Sequence, residues 1–232
     1  MSNYVTTKSG VKIYNQWQDN IVIDSDAIHI GKSRLASENS EDALTWNVFR
    51  TLSYVKPNSL WLNHIFNPIK FEHDDEHTQT FWRPFTQPDS YPYREGTTYV
   101  DFCVENEACL IFIEAKFKSQ ISASTTNDSE RNQVIRNIDV GSYHASQSNK
   151  DFYFFLLTPQ KHQTDLVTRY ENSDSLADEL SHRTDTIDFE QLANRVYHIH
   201  WETIVDLLRD KIFQNQADQP FDKLETWLDG KF

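Results

Sequence analysis

A chain of 232 residues is one large domain or two small ones, and at 38% hydrophobic and 13% aromatic it can bury a proper core. Its 5 Gly and 7 Pro argue against repeats or low-complexity disorder, and no apolar run reaches the length of a membrane span. The formal net charge of −13 counts against a protein that coats nucleic acid by bulk attraction, although a local basic groove can sit on an acidic body.

Residues 1–36 alternate loosely (Val11, Ile13, Tyr14, Trp17, then Ile21 to Ile23) and predict an N-terminal arm or extra strands. The N-terminus shows no apolar signal segment, and Cys103 and Cys109 read as buried thiols of a reducing compartment, so a cytoplasmic protein is expected. Ser37 to Asp42 supplies capping residues and acids for a helix start, and Leu44, Val48, Phe49 and Leu52 form its apolar stripe. Pro57 ends that helix, and Trp61 to Ile65 suggests a short second one. Phe71 to Tyr93 is irregular apart from a strand over Thr78 to Pro84. After the central hairpin comes a polar loop, then a helix over Ser129 to Gln147 with Val134, Ile135, Ile138 and Tyr143 inward. Phe152 to Leu157 is a near-continuous apolar run that suits a buried central strand. Leu166 to Leu180 predicts a helix, Val196 to Trp201 a strand, Glu202 to Ile212 an amphipathic helix, and residues 213–232 a tail helix. Helices alternating with strands and a hairpin predict an α/β fold, a three-layer αβα single domain over 1–232 with a mixed central sheet.

The hairpin itself is V-D-F-C-V-E-N-E-A-C-L-I-F-I-E-A-K, Val100 to Lys116. Val100 to Val104 and Leu110 to Lys116 are rich in β-branched and aromatic residues, with Glu105 to Ala108 as the polar turn. Closing it places Asp101 roughly across from Glu114, and strand alternation puts Glu114 and Lys116 on one face. Two carboxylates and a lysine in an apolar hairpin are costly to desolvate unless something pairs them, and a divalent cation would do so.

Asp101 followed by Glu114-Ala115-Lys116 on a hairpin resembles the signature of the PD-(D/E)XK nuclease superfamily, with Val100 standing where the signature has proline. The element order also resembles that family's restriction-endonuclease-like core, α-β-β-β-α-β. E-D-A-L-T-W resembles its first-helix motif and points to Glu41, with Glu38 as the substitute, while R-N-Q-V-I-R-N-I-D supplies Arg131, Gln133 and Arg136 on the helix after the hairpin. The resemblance implies a Mg²⁺- or Mn²⁺-dependent nuclease. Asp101, Glu114, the Ala115 backbone carbonyl and Glu41 would be the metal ligands. Lys116 would act in the chemical step, and Gln133, Arg131, Arg136 and Lys118 would contact nucleic acid. DNA is the expected partner, with RNA, a homodimer and assembly with other subunits left open.

Two readings compete. One is a catalytically silent member of the same fold serving as a binding or assembly subunit, which the acidity favours; the other is an acidic partner-binding protein. His73-Asp74-Asp75-Glu76-His77 spells an inverted zinc-protease motif, but its crowded like charges make a poor helix and the expectation there is a solvated loop. His198 and His200 share one strand face without an obvious ligand partner and read as sheet histidines.

Overall fold

The protein is described from a computed structural model covering residues 2–23, 35–73, 75–122, 124, 131–162, 164–215 and 221–232. In chain order the strands are β1 (Tyr4–Thr6), β2 (Lys12–Tyr14), β3 (Thr78–Phe85), β4 (Thr98–Glu105), β5 (Cys109–Ala115), β6 (Asp151–Thr158) and β7 (Val196–His200). The helices are α1 (Glu41–Leu52), α2 (Ser59–Ile65), α3 (Gln133–Gln147), α4 (Leu166–Tyr170), α5 (Ser173–Glu179), α6 (Phe189–Ala193), α7 (Trp201–Arg209), α8 (Lys211–Gln214) and α9 (Asp222–Asp229). They form an α/β structure of two compact units, Met1–Asp75 with Trp201–Phe232, and Glu76–His200. Among the described residues no helix is long and apolar enough to cross a membrane.

In the first unit the arm folds as a small antiparallel hairpin, β1 with β2, followed by a single 3-10 turn at Trp17–Asn20. No strand forms at 21–23, where the Asn47 side chain on α1 accepts from Val22 N (2.9 Å) and donates to the Asn20 carbonyl (3.0 Å). The buried Asn20 side chain donates to the carbonyls of Leu35 (2.8 Å) and Ser37 (2.7 Å), and accepts from Trp227 Nε1 (3.1 Å) on α9. Helix α1 begins where the capping pattern places it: Ser40 Oγ accepts from Ala43 N at 3.0 Å, and Glu41 and Asp42 occupy the positive end. Leu44, Val48, Phe49 and Leu52 are fully buried, as their spacing predicts.

The second unit is built on a five-stranded mixed sheet in the order β3-β4-β5-β6-β7. The first three strands are an antiparallel meander; β5, β6 and β7 run parallel. Parallel neighbours need crossovers, and these are α3 between β5 and β6, and α4 to α6 between β6 and β7. Ile135 and Ile138 of α3, Tyr170 of α4, Leu176 of α5 and Leu192 of α6 share one core with Phe112, Phe154 and Leu156 of the sheet, so both crossovers flank the same face. Helix α3 lies very close to the strands. A Cβ at Gly141 would stand 2.1 Å from the Phe152 ring, so only glycine fits without displacing aromatic side chains.

Three expectations shift, and one helix was not foreseen. The predicted 129–147 helix starts at Gln133, capped by Asn132, whose Oδ1 accepts from Val134 N and Ile135 N; residues 125–130 lie outside the described residues. The predicted 166–180 helix is two short helices, because Asn172 leaves the helical conformation and accepts from Ser175 N to cap the second. Trp201 begins α7 instead of ending β7, and α6 is too short for its periodicity to stand out in sequence.

The strongest polar feature of this unit lies behind α3. Asp139, wholly buried, accepts from Arg131 Nη2 (2.7 Å) and Arg183 Nη1 (3.0 Å), and lies 2.9 Å from His182 Nε2. Arg131 also stacks over the Tyr91 ring at 3.8 Å. Burial alone would raise the Asp139 pKa, but the His182 hydrogen bond and the Arg131 charge outweigh it and hold the carboxyl below its ordinary value. Asp139→Ala removes the buried partner that Arg131, Arg183 and His182 share, leaving Arg131 to Glu95 and Arg183 to Asp185, and is expected to cost about 1–3 kcal/mol in urea unfolding. Because the folded pKa is depressed, the Asp139 contribution is complete above the unfolded-state pKa and is lost as pH falls through the folded one. Acid unfolding curves of wild type and Asp139→Asn should therefore converge as pH falls.

Candidate active site

Strands β4 and β5 pair only from Phe102↔Ile113 to Glu105↔Leu110, then part. Beyond that point β4 continues against β3 as far as Thr98, and β5 continues against β6 as far as Ala115. Lys116 N donates to Leu157 O on β6 at 2.8 Å, so by alternation the Ala115 N–H faces β4. In a continuing ladder it would find a backbone carbonyl there. It donates instead to Asp101 Oδ2, at 2.9 Å. A carboxylate has taken a carbonyl's place and holds the fork open. One further step along the same register sets Asp101 opposite Glu114.

Strand β3 is irregular at the same level. Its pairing passes from Phe81↔Phe102 to Arg83↔Val100, and the intervening Trp82 has φ 49, a left-handed conformation that a bulky residue adopts only at a cost of about 1–3 kcal/mol. Val100 and Cys103, three residues apart, enter the same core, so β4 changes its facing across Asp101. Burial raises the Cys103 thiol to about 12, which leaves it a packing residue.

Glu114 is 1% exposed on a strand buried along its whole length. Its Oε1 accepts from Lys116 Nζ at 2.6 Å and its Oε2 from Asn137 Nδ2 at 2.7 Å. Glu114 thus holds Lys116, and Asp101 takes the backbone N–H of Ala115 between them. Asn137 was not singled out by the hairpin reading. Its signal was available: an asparagine in a helix interior, between Ile135 and Ile138, opposes helix propensity and so has some other use.

Arg131 and Arg136 both turn to Glu95, at 3.4 Å each, and Arg136 also donates to the Gly96 carbonyl. Arg131 is 4% exposed and locked in the Asp139 cluster, where it serves packing and pairing. Gln133 is half-buried at the start of α3, one turn before Asn137 and on the same helix face. Lys118 is exposed, with Nζ 5.3 Å from the Phe117 ring. Glu41 opens α1 in the other unit, and Glu38, also there, accepts from Lys12 N at 2.8 Å. No helix forms over 71–77 among the described residues, with Asp74 outside them. His198 Nε2 lies 2.7 Å from Thr158 Oγ1 and its ring 4.6 Å from that of His200; burial and then His200 lower the His198 pKa.

A cleft of about 660 Å³ opens just past the carboxyl ends of the parallel strands β5 and β6. Lys116 and Thr158 stand at those strand ends, Asn132 at the start of α3 forms one wall, and Lys161, Asp165 and Arg169 line the rest with neighbouring polar residues. Asn132 Nδ2 donates to the Tyr170 hydroxyl at 2.6 Å and so ties the helix start to α4.

Among the described residues no three or more His, Cys, Asp or Glu side chains group to hold a metal ion. The donors at the fork are two carboxylates, Asp101 and Glu114, with the Ala115 carbonyl added by the resemblance. That set suits Mg²⁺, which keeps several waters and takes one or two carboxylates; softer metals prefer imidazole or thiolate. No protein-family model, curated protein or solved structure matches the chain.

Removing Lys116 should expose the cost of the buried carboxylate. Lys116→Met is expected to lose about 1–3 kcal/mol of stability, and Glu114→Gln in the same chain to recover part of it. A double-mutant cycle by urea unfolding measures the coupling; additive losses would mean that the pair is not energetically linked.

Proposed function

We propose that the protein is a Mg²⁺- or Mn²⁺-dependent nuclease of the PD-(D/E)XK type, hydrolysing phosphodiester bonds in DNA. The observation that carries this reading is the fork: Asp101 replaces a strand carbonyl at Ala115 N, opposite a buried Glu114 that holds Lys116. The chain order α1, β3, β4, β5, α3, β6 supports it, since it contains the α-β-β-β-α-β order of that core with α2 inserted. The three-layer αβα arrangement belongs to the same reading.

Asp101 and Glu114, with the Ala115 carbonyl, would hold the cation. When bound, it polarises the scissile phosphate and lowers the pKa of water in contact with it. Asn137 fixes the Glu114 carboxylate by its bond to Oε2, which keeps the carboxylate plane from rotating. Lys116 brings an ammonium to the edge of that carboxylate, where it can oppose charge that develops on phosphate oxygens or orient the attacking water. Because Lys116 also lines the cleft, it faces the space a substrate would enter.

Purified protein with Mg²⁺ or Mn²⁺ should cut plasmid or linear DNA, and EDTA should abolish cutting. Ca²⁺ should support binding more than cleavage, because its coordination is looser. Lys116→Ala should lower kcat by about 10²–10³, normalised to folded protein, with metal affinity retained. Asp101→Ala should weaken metal binding, read by calorimetry, along with cleavage. A folded protein that neither binds divalent metal nor cuts DNA would instead be a silent binding or assembly subunit.

A further inference from the structure

We propose that the cleft past β5 and β6 is a backbone-phosphate subsite, with Lys161 and Arg169 gripping the DNA strand beside the reacting bond; this rests on the nuclease reading. The first ground is sign. In a chain of net charge −13, the cleft wall carries Lys116, Lys161 and Arg169 with one carboxylate, Asp165, while the acids that hold Lys116 and Arg169, Glu114 and Glu179, have side chains only 1% and 17% exposed, so it is the cations that line the open space. A polyanion that approaches an acidic molecule needs cations of this kind at the surface it meets.

The second ground is availability. Lys161 is exposed and has no ion pair among the described residues. Arg169 pairs with Glu179, yet its side chain remains 54% exposed and a guanidinium carries further donors. The third ground is position. Lys116 belongs to both the fork and the cleft, so a strand whose phosphate lies at Lys116 continues into the space between Lys161 and Arg169.

The lining also indicates what is read. Among its described residues there is no Phe, Tyr or Trp to stack a base, while Ser119, Gln120 and Thr164 add neutral hydrogen-bonding groups. That chemistry grips phosphate and sugar and is indifferent to sequence.

The test uses full-length Lys161→Gln, Arg169→Gln and the double variant. The probe is dye-labelled single-stranded DNA of two unrelated sequences, titrated in Ca²⁺ by fluorescence anisotropy across a salt series. Each single change should weaken binding by about tenfold near 0.1 M salt, equally for both sequences, and the double variant should flatten the log–log salt slope by about two. In Mg²⁺ cleavage the loss should appear in KM with kcat retained. Glu179→Gln, which removes the Arg169 partner and keeps the cation, should bind at least as well as wild type; a loss matching that of Arg169→Gln would show a purely structural effect and overturn the subsite. Unchanged affinity, slope and KM in the double variant, from a wild type that cuts DNA, would overturn the subsite and leave the nuclease intact. A wild type that neither binds nor cuts DNA would remove both.

Discussion

A carboxylate 1% exposed near the end of a wholly buried strand sets the terms for the second unit. An isolated charge in such a place costs many kcal/mol, so Glu114 must be neutralised or compensated, and its surroundings are built to compensate it. Lys116 does so from the same strand two residues on, which requires only the strand period. Asn137 does so from α3, and that requires α3 to hold one register against the sheet. Gly141 lets the helix approach until Phe152 and Phe112 meet its backbone. The Asp139 cluster then ties the helix from behind to Arg183 and, through Arg131, to Tyr91. A buried charge on the strand is therefore supported by a second buried charge on the helix.

Backbone accounting explains the fork. Every buried N–H needs an acceptor, and once β4 leaves β5 the Ala115 N–H has lost its natural one. Asp101 supplies it without closing the strands, so the sheet can part without an orphaned donor. The left-handed Trp82 on β3 lies at the same level, and β4 changes its facing there. Local strain and a split ladder concentrated around one carboxylate are what a site, more than a packing element, would require.

Charge in this molecule is sorted by place. Arg131 and Arg136, on the helix that follows the hairpin, are consumed by Glu95 and Asp139. The cations that join Lys116 at the cleft come from the loop and helix after β6, in a stretch whose sequence carries no motif. Net charge accordingly says little about what any one surface attracts.

Much of the local architecture was legible in the sequence. The Ser40 cap and the stripe of Leu44, Val48, Phe49 and Leu52 determine α1; the apolar run Phe152 to Leu157 determines a central strand; the i, i+2 spacing determines that Glu114 and Lys116 share a face. These follow from interactions among residues near in sequence, with periods of 3.6 or 2. What only the tertiary structure decided involves partners far apart in the chain. Asp101 reaches Ala115 because two strands part, Asn137 reaches Glu114 across 23 positions, and Arg131 turns to Asp139 and away from the cleft because burial needs a counter-charge there. Periodicity cannot rank such partners, since the free energy that selects them comes from desolvation, which exists only once the chain has closed over them.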